Sequence, residues 1–104
     1  MADPSTDTGF WRPPPEECSA LLRHLLLDVP PGHVLWMRRD ALEVEARALD
    51  RDQVIVLTGD PALPVARVRM TWRGRPEIAP FLPETDLYPS REALRRALLE
   101  GSEP

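Results

Sequence analysis

The chain has 104 residues, 13 basic against 17 acidic groups for a net charge of −4, and 42% hydrophobic residues. A chain of this size is one domain that buries about 65% of the surface its unfolded form exposes, without disulfide or metal support. The acidic balance argues against blanket nucleic-acid affinity. Cys18 stands alone, which excludes an intrachain disulfide, and no apolar run approaches the ~20 residues of a membrane span. The opening Met1 to Asp7 is polar and acidic, unlike a signal peptide, so the expected location is a reducing cytoplasm. Every basic residue is Arg, a cation suited to planar pairing rather than free solvation.

Residues 1–14 read as a flexible N-terminal arm and 15–104 as a single α+β domain. Within the arm, Phe10-Trp11 precedes Arg12-Pro13-Pro14-Pro15. Large aromatics favour burial, so the pair is expected to fold back over the core. The competing reading is an exposed segment for a groove that recognises polyproline. A helix then runs from Pro15, which suits a first turn, to about Asp28, with Glu16 and Glu17 at the favourable end of its dipole. Cys18, Leu21, Leu22, Leu25 and Val29 form its apolar stripe, which makes Cys18 a small core residue rather than a nucleophile. Pro30-Pro31-Gly32 ends it.

His33 to Arg38 is expected to be a first strand, apolar on both faces. Residues 41–49 carry two signals. Asp40 and Glu43 match a capping box, while Leu42, Val44, Ala46 and Ala48 alternate with Glu43, Glu45 and Arg47 at the strand period, which is preferred. Asp50-Arg51-Asp52 reads as the hairpin turn into Gln53 to Thr58, around which the fold is organised. Its Val54-Ile55-Val56-Leu57 core is a short β-branched apolar run closed by a turn, the pattern of a strand covered on both faces. From Val65 to Arg73, Ala66, Val68, Met70 and Trp72 alternate with Arg67, Arg69, Thr71 and Arg73, predicting a half-buried strand with Trp72 inward.

Pro80, Pro83 and Pro89 exclude a helix or an inner strand from 77–89. Ile78, Phe81, Leu82, Leu87 and Tyr88 are expected to pin that segment across the surface. Ser90 caps a final helix over 91–100, with Ala93, Leu94, Ala97 and Leu98 buried. The expected architecture is an α+β two-layer sandwich, a four-stranded antiparallel meander flanked by an N-terminal and a C-terminal helix.

Chemistry is sparse. His24 and His33 are separated by a helix end and lack a serine or cysteine placed as nucleophile, so the reading leans to a non-catalytic protein. Asp50, Asp52 and Asp60 could present oxygens to a cation, but they lack calcium-loop spacing and read as turn residues. No zinc pattern, phosphate loop or dinucleotide fingerprint is present, and no cofactor or metal is expected.

The informative feature is the outer sheet face. It would carry a row of Glu43 and Glu45, an apolar row (Val54 and Val56, or Ile55 and Leu57), and a row of Arg67, Arg69 and Arg73. Either the arginines pair across the sheet with the glutamates, shielding the aliphatic row, or the face is a two-fold dimer interface. A third reading makes Arg67, Arg69 and Arg73 a single-stranded nucleic-acid platform, against which the nearby glutamates would act. The preferred expectation is a homodimer or protein-interaction module using this face.

Overall fold

The computed structural model describes residues 9–48 and 51–101. Two helices, α1 (Pro15–Asp28) and α2 (Arg91–Gly101), accompany five strands: β1 (Phe10–Trp11), β2 (Glu43–Ala48), β3 (Gln53–Leu57), β4 (Val65–Arg69) and β5 (Thr85–Tyr88). The strands form one antiparallel meander in chain order, with β3 at its centre. The α+β architecture expected from the pattern is present.

Three elements differ from expectation. Residues 33–38 are not a strand but a series of tight turns ending in a 3₁₀ turn (Trp36–Arg38). Bonds from His33 N to Pro30 O, Trp36 N to His33 O and Arg38 N to Leu35 O close each turn on itself. The His33 ring joins them, its Nδ1 accepting from Leu35 N at 3.0 Å. Local partners of this kind outcompete a sheet ladder. The proline-bounded segment supplies β5, an edge strand free of proline. The arm supplies β1, with Phe10 opposite Ala48 and Trp11 opposite Arg47.

The second helix also lies on the other side of the sheet from the first. Leu21 and Leu25 of α1 pack with Val44, Val54, Val56, Ala66 and Val68. Leu94 and Leu98 of α2 pack with Phe10, Ala46, Ala48, Ile55 and Val65. Successive residues of β3 and β4 point to opposite faces, so each strand serves both cores. This is why Val54 to Leu57 is apolar without interruption.

A bulge makes β2 do the same. Val44 pairs with Val56 and Ala46 with Ile55, leaving Glu45 as the extra residue. Without it, Val44 and Ala46 would share a face. With it, Leu42 and Val44 enter the α1 core, and Ala46 and Ala48 the α2 core. Glu45 bonds Arg91 at the start of α2, and Arg47 bonds Glu17 of α1 at 2.9 Å.

Candidate protein-interaction surface

The seven residues proposed for an outer face do not form one. Val54 and Val56 are 2% and 0% exposed beneath α1. The other aliphatic row, Ile55 and Leu57, is covered by α2 and Phe10. Arg67 pairs with Asp86 at 2.9 Å and Arg69 with Glu84 at 3.6 Å, both partners coming from β5 or the residue before it. Arg73 pairs with Glu77 at 3.6 Å, and Glu45 with Arg91. Glu43 is exposed at the start of β2. The arginines are answered by carboxylates the sequence placed in a loop, not by the glutamates of β2. The Arg69–Glu84 pair, exposed on both sides, contributes at most about 1 kcal/mol, whereas Glu77 is buried beside Arg73. Arg67, Arg69, Glu84 and Asp86 border a polar cleft of about 390 Å³ with Arg51, Gln53 and Leu98.

Asp60 behaves as a turn residue. Asp60 Oδ1 accepts from Ala62 N at 2.9 Å, Asp60 N donates to Thr58 Oγ1, and Asp60 pairs with Arg38. Asp50 lies outside the described residues. No group of three or more His, Cys, Asp or Glu that could hold a metal ion occurs among those described. Burial pushes the Cys18 thiol up, against the pull of Arg12, which disfavours its thiolate form. No helix of the described residues is long and apolar enough to cross a membrane.

A different surface stands out. β4 stops at Arg69, and the strand period does not carry through to Trp72, which sits at φ 58 and is exposed rather than buried. The left-handed region costs a non-glycine residue about 1 kcal/mol or more, so something must hold it there. Asp28 does. Its carboxylate, fully buried at the C-terminal end of α1, accepts from Thr71 Oγ1 at 3.2 Å and Gly74 N at 2.8 Å, on either side of Trp72. Its main-chain oxygen accepts from Glu77 N at 3.0 Å. A carboxylate opposes the helix dipole at this end. Its position is explained by the loop it holds, not by the helix. The Trp72 ring meets His24 of α1 edge to face, with centroids 5.3 Å apart.

The second anchor is His33, 4% exposed. Because Nδ1 accepts from Leu35 N, Nε2 carries the proton and donates to Pro83 O at 2.7 Å. Burial lowers its pKa, the bond to Pro83 opposing the shift only in part. Gly32 lies against the Pro80 side chain, a Cβ there standing 3.6 Å from it. Together these contacts fasten 71–83 to α1 and to the 33–38 turns.

On these fastened segments, apolar side chains face solvent. Ile78 is 91%, Phe81 71%, Met37 86% and Val34 60% exposed. The sequence expectation that Ile78 and Phe81 anchor the segment is reversed: these two point out, while Leu87 packs on the α1 core and Tyr88 on the α2 core. No periodicity marks which side chains of such a segment turn outward, and the polar anchors, Asp28 and His33, lie more than forty residues away in sequence, as the bonds to Gly74 and Pro83 span 46 and 50 positions. Comparison with known protein families, curated proteins and solved structures found no match.

Proposed function

We propose that the protein is a non-catalytic protein-interaction module whose contact surface is the anchored 71–83 segment with the adjoining 33–38 turns. The observation that carries this reading is the exposure of Ile78 and Phe81 on a segment held from beneath by buried hydrogen bonds of Asp28 and His33. Exposed large apolar side chains in a group mark contact sites, and a segment fixed before binding loses less entropy on association. Arg39 and Arg75 belong to the same segments and are exposed, so the fitting partner is a protein with an apolar centre and an acidic periphery. The sheet-face interface has less support, because its aliphatic rows are covered by the chain's own helices. Nucleic-acid binding through Arg67, Arg69 and Arg73 has less support still, since each is answered by a carboxylate.

The test places a photo-reactive amino acid at position 78, and separately at position 23 on the exposed side of α1, in cells expressing the chain. A discrete adduct is expected at 78 alone, suppressed by excess wild-type protein but not by an Ile78→Asp/Phe81→Asp variant. That variant should keep wild-type stability within about 0.5 kcal/mol, because the lost side chains are exposed. Equal adducts at both positions, or none, would remove the proposal. Sedimentation equilibrium of the two proteins distinguishes self-association from a foreign partner.

A further inference from the structure

β1 meets β2 only at Phe10–Ala48 and Trp11–Arg47. The chain then leaves the sheet through Arg12 and the proline lead into α1. Residues 43–46 of β2 therefore have β3 on one side and, among the described residues, no strand on the other. The outward main-chain groups of such an edge are a ready template for another strand. Alongside it lies a groove of about 400 Å³ between α1 and β2, walled by Pro13, Pro15, Cys18, Leu22 and Val44. Arg12 stands where β1 leaves the edge and Glu43 where β2 begins, and both line the groove. Neither has an ion-pair partner among the described residues.

We infer that this groove takes an extended peptide segment of a partner protein, added as a strand antiparallel to β2 along residues 43–46. Capture between an edge strand and a helix supplies main-chain bonds for affinity and a side-chain pocket for specificity. The antiparallel direction follows β1, which already runs that way along the same edge. Val44 pairs with Val56 on the α1 face, so an apolar side chain of the added strand opposite Val44 lodges between Leu22 and Cys18. A strand in this direction enters beside Arg12 and leaves beside Glu43. Charge complementarity therefore selects an acidic residue before the apolar one and a basic residue after it. The bulge at Glu45 interrupts regular pairing and limits the site to a short segment. No residue of the groove belongs to the 71–83 surface, so the two sites stand or fall separately.

The experiment pans a phage-displayed library of random peptides on the full-length chain, then measures the winning peptide in blocked synthetic form by amide NMR titration. Winners are expected to place acid before base around a β-branched or aliphatic residue and to shift Leu22, Glu43 and Val44. Methylating the peptide's edge-facing nitrogens should weaken binding by about tenfold or more, because it removes a main-chain bond without changing a side chain. An Arg12→Glu/Glu43→Arg variant should prefer the peptide with its charges exchanged. The inference is overturned if no peptide enriches, or if methylation has no effect. It is equally overturned if the shifts fall on Ile78 and Phe81, or if the edge is occupied by a second copy in sedimentation equilibrium.

Discussion

His33 holds its two ring nitrogens in opposite roles, one accepting from Leu35 N and the other donating to Pro83 O. Protonating Nδ1 would remove the acceptor for a buried main-chain N–H and place a charge where water is excluded. Its pKa accordingly lies below the ordinary 6.5 in the folded chain. Between that lowered value and 6.5 the unfolded chain binds more protons, so stability falls as pH drops through this window. Above 6.5 the contribution is fully present, and below the folded pKa its loss is complete. Urea unfolding between about pH 7.5 and about pH 5 should show this decline, and His33→Gln should flatten it. A wild-type slope no steeper than the variant's would mean the imidazole is not held neutral. The residue's type was visible in the sequence, but its role was not. A histidine after Pro30-Pro31-Gly32 reads as the first residue of a strand until its partner fifty positions away is known.

At the scale of elements, α1, α2, β2, β3 and the start of β4 follow from periodicity and capping. Ser90 Oγ accepts from Ala93 N at 3.0 Å, as an N-cap should. What periodicity could not express was the bulge, because one extra residue shifts the pattern without breaking it: Leu42, Val44, Ala46 and Ala48 alternate in sequence while serving two faces. Nor could it show the turns at 33–38, where local bonds overrode an apolar run. The turn after β3 offers a test of element geometry. Gly59 has φ +79, and a Cβ on it would sit 2.9 Å from the Ala41 Cβ, whereas Gly74 at φ +74 has open space. Both alanine variants meet backbone strain of about 1 kcal/mol. Gly59→Ala should cost distinctly more because Ala41 must also move. Equal unfolding midpoints for the two variants would show that the Ala41 contact relaxes freely.

For the whole molecule, the decisive fact is that one sheet separates two cores. The uninterrupted apolar character of β3 was legible as cover on both faces. Which segment gave the second cover was not: with both helices expected on one face, the sequence offered the 77–89 segment or the Phe10-Trp11 arm, and the structure uses α2 together with Phe10. The candidate contact surface was legible only as a long proline-rich segment. Phe10 is 1% exposed, the largest side chain of the α2 core. Phe10→Ala should destabilise by about 3–4 kcal/mol, measured by urea unfolding. A cost under about 1 kcal/mol would mean that β1 is dispensable to that core.

The membership of the α2 core has a consequence for how the chain is made. It joins Phe10, among the earliest described residues, to Leu94 and Leu98, among the latest. The α1 core needs nothing beyond Leu87, its lining otherwise ending at Met70. During synthesis the α1 side can therefore close while Ala46, Ile55 and Val65 still wait for their cover. The emerging chain passes through a stage with one finished face and one greasy one, ended only when residue 98 clears the ribosome.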